Sequence, residues 1–131
     1  MSNAFDISKT PIHIGDSQTV FALSNFTFDG QSFEQYIGEH CLDGPGWLMM
    51  IEESPANWGS WERHPAGVEI VHVLRGSGTF FQDLPEGVSA LPFGPGITLI
   101  NPPGVWHTAD VSEPMQAIYI TPCPDTEHKP R

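Results

Sequence analysis

The feature that most constrains the fold is a run of alternating residues that begins at Glu69. Side chains two apart point to the same face of a strand, so this run has two distinct faces, one carrying Glu69, Val71, Val73 and Arg75. Other short apolar segments recur about every ten residues, separated by Gly, Pro and Asp-Gly turn signals. Thirteen Gly and thirteen Pro also suit a turn-rich β protein, and no segment is a convincing helix. The pattern predicts an all-β sandwich or small barrel.

The chain is strongly acidic, which narrows the range of partners. Its net charge is −11, with only five Lys and Arg in 131 residues. Such a surface repels nucleic acid and anionic lipid, so we expect neither as a partner. No basic cluster or phosphate-cradling loop is present, which disfavours phosphorylated ligands. A small, largely uncharged organic molecule is the expected ligand.

The two cysteines and the N-terminus bear on the compartment. Cys41 and Cys123 belong to no shared motif, and we predict two free thiols in a reducing compartment rather than a disulfide. The chain shows no signal-peptide pattern and no apolar run near the ~20 residues that a membrane span needs. We therefore expect a cytoplasmic protein with no membrane partner.

Two separate stretches carry groups that can bind a metal. Glu62 and His64 lie two residues apart, so an extended backbone points both side chains the same way. Glu69 opens the alternating run, and His107 follows a second predicted strand and a tight Pro-Pro-Gly turn. Two imidazoles and two carboxylates on separate β-segments predict a metal site.

Both stretches resemble the motifs of the cupin family. The matching positions are His64, Glu69 and Gly76 in the first motif and Gly96, Pro102, Gly104 and His107 in the second. The resemblance covers residues 47–121 and implies a double-stranded β-helix, the jelly-roll barrel of cupins. Residues 1–46 would be an N-terminal extension with short strands, and 122–131 a polar tail on the surface or frayed. The family also implies a homodimer in which the N-terminal segment packs on its partner or adds a strand to it.

One departure from the family changes the metal shell. Glu62 stands where the family has its first histidine, so the ligands implied here are Glu62, His64, Glu69 and His107. This harder, more anionic set suits Fe, Mn or Zn as the divalent ion. Glu62 could instead act as a general base beside a two-histidine, one-carboxylate ion, or point to solvent. Without metal, His64 would be a pocket histidine hydrogen-bonded to Glu69.

Other candidates are weighed against simpler structural roles. Trp58 shares the face of Glu62 and His64 and is a candidate pocket residue, and Arg75 could anchor a carboxylate at the pocket mouth. His72 lies on the opposite strand face from Glu69, which favours a packing or interface role. His13, His40 and His128 lie outside the motifs and are expected on the surface.

The sequence thus predicts a metal-binding cupin acting as a metal-dependent enzyme on a small molecule. Oxygenase-like oxidoreductase chemistry is favoured over isomerase or lyase chemistry, with Glu62 as the catalytic candidate. The alternative is a non-catalytic cupin that binds a small ligand, with or without metal.

Overall fold

The computed structural model describes residues 3–41, 46–123 and 125–131. The strands in this part of the chain are β1 (Ile12–Ile14), β2 (Val20–Ala22), β3 (Gly46–Ser54), β4 (Ser60–Arg63), β5 (Glu69–Leu84), β6 (Gly87–Phe93), β7 (Thr98–Asn101), β8 (Trp106–Cys123) and β9 (Glu127–Pro130). The helical segments are a 3-10 turn (Asp16–Gln18), the helix α1 (Gly30–Tyr36) and a π-helical turn (Ile37–Cys41).

The strands pair antiparallel in the order β2-β1-β3-β8-β4-β9, and β5 pairs with β6, β7 and β8. The predicted all-β class is confirmed. Strand residues that face inward form one apolar core, which contains Val71, Val73, Phe80, Phe93, Leu99, Ala109, Met115, Ala117 and Tyr119. Alternation along β3, β5 and β8 therefore decides which side chains enter the barrel.

The two longest strands, β5 and β8, pair along nearly their whole length and bend together. Their register shifts between Val73 and Gly78. Gly76 has a φ of +91°, and a side chain there or at Gly78 would collide with the backbone of β8 at Pro114 or Asp110. Gly76-Ser-Gly78 is thus a bulged bend inside one continuous strand.

Helix α1 closes one end of the barrel. The sequence showed no convincing helix, yet Gly30–Tyr36 is helical, and Asp29 caps it by accepting a hydrogen bond from the Ser32 N–H at 2.8 Å. The helix packs Tyr36 against Leu48 and Met50 of β3. The N-terminal segment thus contributes to the barrel's own second apolar cluster.

The cysteine prediction is wrong. Cys41, at the end of the π-helical turn, forms a disulfide with Cys123 at the end of β8. Their sequence separation of 82 residues hid the pairing, since only the docking of α1 on the barrel brings them together. The bond ties the N-terminal helix to the barrel.

The C-terminal tail is ordered rather than frayed. Strand β9 pairs with β4, with Trp61 opposite Lys129 and Glu62 opposite His128. The Arg63 guanidinium also lies 3.0 Å from Glu127. None of the helices in the described part of the chain has the length and apolar character required to cross a membrane.

Candidate functional site

The four predicted ligands come together at one point inside the barrel. Glu62 lies on β4, His64 follows that strand, Glu69 begins β5, and His107 lies on β8. Glu62 is the register partner of His107, which places the two stretches side by side. One potential ligand atom from each residue lies within 4.8 Å of all the others. This spacing can hold a single metal ion.

The two histidines are fixed through their Nδ1 atoms. His107 Nδ1 donates to the Val105 carbonyl oxygen at 3.1 Å, and His64 Nδ1 shares a hydrogen bond with Thr126 Oγ1 at 2.9 Å. A carbonyl only accepts, so the neutral His107 ring carries its proton on Nδ1 and keeps a lone pair on Nε2. This arrangement is typical of a metal-binding histidine.

The Nε2 atoms of both histidines are buried and make no hydrogen bond within the described part of the chain. Carboxylate oxygens are nevertheless close to them. The distances from His64 Nε2 are 3.1 Å to Glu62 and 3.1 Å to Glu69, and those from His107 Nε2 are 3.7 Å and 3.3 Å. The four groups therefore face a common point without the geometry of direct hydrogen bonds, as ligands around an ion do. The donor set fits a divalent cation.

Glu69 is held from behind by a chain of amides and a hydroxyl. Asn101 Nδ2 donates to its Oε1 at 2.9 Å, and Thr121 Oγ1 donates to its Oε2 at 2.6 Å. Gln82 Nε2 in turn donates to Asn101 Oδ1 at 2.9 Å. Glu69 is 1% exposed, so these donors fix a buried carboxylate.

The two carboxylate oxygens of Glu62 have different partners. Its Oε1 faces His64 and His107, whereas its Oε2 accepts a hydrogen bond from His128 Nε2 at 3.0 Å. A quarter of the Glu62 side chain is exposed, and His128 is more exposed still. One oxygen is thus available to an ion while the other is occupied by β9.

The mutual proximity of these groups shifts their pKa values. Burial alone would lower the pKa of His64, but the Glu62 and Glu69 carboxylates outweigh it and raise that pKa to about 9. The same carboxylates raise the pKa of His107 against its burial. Burial opposes ionisation of Glu62 and Glu69, yet the two imidazoles lower the pKa of each carboxyl. In the metal-free protein the cluster holds protons that an entering cation displaces.

A cavity of about 820 Å³ leads to this cluster. Trp58 lines it together with Glu62 and His64, and its indole N–H donates to Ser54 Oγ at 3.1 Å. The opposite wall comes from Phe33, Tyr36 and Ile37 of the N-terminal helical segments, and β3 and β8 supply Leu48, Met50, Glu52, Tyr119 and Thr121. The space accommodates a small organic molecule.

Other residues singled out in the sequence lie outside the cluster, and some of them differ in position from the prediction. Arg75 lies outside the cavity, where it pairs with Glu53 at 2.7 Å on the surface, because the bulge after Val73 breaks the alternation that predicted its direction. His13 is buried and hydrogen-bonded to the Tyr36 hydroxyl at 2.7 Å. His128 is exposed as expected, but it contacts Glu62. His72 faces outward and pairs with Thr98 at 2.8 Å.

Sequence reasoning missed the groups that support the cluster. Asn101 lies on β7 in phase with the buried Leu99, and Thr121 lies on β8 in phase with the buried Tyr119, so alternation could have identified both. Glu52 was also overlooked, although parity with Leu48 and Met50 places it on the inner face. Thr126 and His128 gave no local signal, because their position depends on the pairing of β9 with β4.

The fold is similar to those of solved double-stranded β-helix proteins. An uncharacterised protein with this domain from Klebsiella pneumoniae is 18% identical, with a TM-score of 0.54 over 65% of this chain and 76% of that chain. The nucleoside dehydratase Pac13 is 14% identical, with a TM-score of 0.50 over 66% and 79%. The DMSP lyase DddQ from Ruegeria pomeroyi is 20% identical, with a TM-score of 0.50 over 65% of this chain but 43% of DddQ. No family model and no curated protein matches the chain. At these identities the likeness establishes the fold alone.

Proposed function

We propose that this chain, which has the double-stranded β-helix fold of the cupin superfamily, is a metal-dependent enzyme acting on a small organic molecule. The observation that carries the proposal is the pair of buried, unpartnered Nε2 atoms of His64 and His107 facing two carboxylates. Oxygens of Glu62 and Glu69 lie 3.1 to 3.7 Å from these atoms, but none meets hydrogen-bond geometry in the described part of the chain. A divalent cation between the four groups would complete both nitrogens.

His64, His107 and Glu69 would hold the ion, with Glu62 as the fourth ligand through Oε1. When bound there, Fe, Mn or Zn supplies Lewis-acid chemistry, and Fe or Mn also supplies redox chemistry. The protein's own groups position this set: Thr126 and the Val105 carbonyl orient the imidazoles, and Asn101 and Thr121 orient Glu69. The two-histidine set with a fixed carboxylate supports oxygenase-like chemistry ahead of isomerase or lyase chemistry.

Metal analysis of protein purified without added metal tests the proposal. We expect about one ion per chain in the wild type and a near-complete loss in His107→Ala. His72→Ala is the matched control, because His72 pairs with Thr98 on the outer face and should keep the full metal content. Less than ~0.2 ion per chain, unchanged in His107→Ala, would refute the metal-dependent function and leave a metal-free ligand-binding cupin.

A further inference from the structure

Glu52 is a carboxylate inside the cavity that the metal cluster does not use. It lies on the inner face of β3 in phase with Leu48 and Met50, and it lines the cavity with them. Glu52 is exposed to solvent where it lines the cavity, and its side chain makes no hydrogen bond or ion pair within the described ranges. Partial desolvation by the cavity wall raises the pKa of its carboxyl, and the charges of Glu62 and Glu69 raise it further. Glu52 is therefore an acid without a counter-charge.

Apart from histidines, the described lining of the cavity supplies no positive charge. The ionisable carboxyl and imidazole groups in its described lining belong to Glu52, Glu62, His64, Glu69, Asp125 and His128, and this lining contains no Lys or Arg. A divalent ion would neutralise Glu62 and Glu69 together. Glu52 would remain as a carboxylate without a counter-charge in the same cavity.

Four of the chain's five basic side chains have partners elsewhere. Arg63 pairs with Glu127, Arg75 with Glu53, and Arg131 with Asp110, while the Lys129 ammonium lies 4.6 Å from the centre of the Trp106 ring. The fifth, Lys9, interacts with Asp6 in the N-terminal segment. None of the five is in the described lining of the cavity, so a cationic ligand would supply the counter-charge for Glu52.

A second group on the same wall is also unpartnered. Tyr119 is 4% exposed and lines the cavity, yet its hydroxyl makes no hydrogen bond in the described part of the chain. Burial raises the pKa of this phenol, and Ser54 is close enough to oppose the rise without meeting hydrogen-bond geometry. Tyr119 is opposite Met50 in the β3–β8 register, diagonal to Glu52. A buried hydroxyl without a partner indicates a ligand contact.

We propose that Glu52, Tyr119 and Trp58 form a subsite for an organic cation, so that the ligand carries an ammonium-type group. The Glu52 carboxylate supplies the counter-charge, the Trp58 ring offers a π face, and the Tyr119 hydroxyl contacts a neighbouring polar atom of the ligand. This inference deepens the proposed function and rests on it, since one cavity holds both the subsite and the metal cluster. A cationic ligand differs from the largely uncharged ligand that composition led us to expect. Phosphorylated ligands remain disfavoured.

A pair of isosteric probes tests the subsite directly. Choline and 3,3-dimethyl-1-butanol have the same shape and differ in charge, and the quaternary nitrogen cannot coordinate a metal. Dissociation constants would be measured by titration of zinc-loaded and metal-free protein, followed by NMR at the indole N–H of Trp58. We expect choline to bind about tenfold or more tightly than its neutral isostere, a preference that Glu52→Gln abolishes.

Glu53→Gln is the matched control, because Glu53 is the next residue on β3 but pairs with Arg75 on the exposed outer face. It should keep the preference for choline. Equal binding of the two probes, or a preference that survives Glu52→Gln, would overturn the subsite.

The failure of the two proposals can be told apart. If the protein binds no metal but metal-free protein prefers choline through Glu52, the metal function fails and the cation subsite stands. If zinc-loaded protein shows no choline preference, the subsite fails and the metal centre stands.

Discussion

At the scale of single residues, Glu62 distinguishes this cluster from the cupin motif that the sequence resembles. The family's histidine would offer one nitrogen, whereas Glu62 offers two oxygens with different surroundings. Oε1 faces the imidazoles, and Oε2 is bound by His128 from a different strand. This division favours a role as metal ligand through Oε1. A general base that takes a proton from a bound substrate would need an oxygen that is free and faces the cavity.

The ligand role of Glu62 predicts the behaviour of Glu62→Gln. The amide retains the size of the side chain but loses its charge, so we expect metal affinity to fall roughly tenfold to a hundredfold. Competition with a chelator of known affinity measures this change. Glu127→Gln is the control, because it neutralises an exposed carboxylate on the neighbouring strand and should leave affinity unchanged. Undiminished affinity in Glu62→Gln would contradict the ligand role and leave Glu62 either a residue that supports the ligands or a proton-transfer base.

At the scale of elements, the four candidate metal ligands could be predicted from the sequence, but the residues that hydrogen-bond to them could be predicted only in part. Glu62, His64 and Glu69 lie within eight residues of one another, so their spacing in the sequence brings them close together. The Gly104 N–H then donates to the His64 carbonyl at 3.1 Å, which joins the second motif to the first. Short-range patterns of this kind can be read from sequence. Strand β9 could not, because it is polar, short and stabilised by pairing with a segment more than sixty residues earlier. The Cys41–Cys123 bond was missed for the same reason.

The role of the segment leading into β9 is tested by Thr126→Val. This isosteric change removes the hydrogen bond to His64 Nδ1 and frees the ring to rotate, so metal affinity should fall about tenfold or more. Thr98→Val provides a matched control, since Thr98 makes the same kind of bond to His72 outside the site. Both variants would be compared by chelator competition. Equal affinities would mean that packing alone orients His64.

At the scale of the whole molecule, the outer face of the sheet contrasts with the acidic remainder. Side chains pointing outward from five of its strands are mostly apolar and include Ile12, Ile14, Met49, Ile51, Ile70, Leu74, Ile100, Ile118 and Ile120, with Glu53 and His72 among the exceptions. Edge strand β2 extends the face with Val20, which is 59% exposed. In a chain with 16 Asp and Glu, a face this rich in apolar side chains indicates an interface. We propose that it joins two copies in a homodimer that includes the N-terminal strands.

The homodimer is tested by placing a charge on this face. Ile100 is 60% exposed and lies opposite Ile70, so Ile100→Lys should leave the fold intact while burying a charge in the interface. Light scattering coupled to size exclusion should give twice the 14.4 kDa chain mass for wild type and the single mass for the variant. Val88→Lys is the control, because Val88 is 59% exposed on β6, away from the apolar face, and this variant should remain dimeric. A single chain mass for the wild-type protein at micromolar concentration would refute the proposed homodimer. Dissociation by both variants would show that the interface lies elsewhere or that added positive charge alone disrupts it.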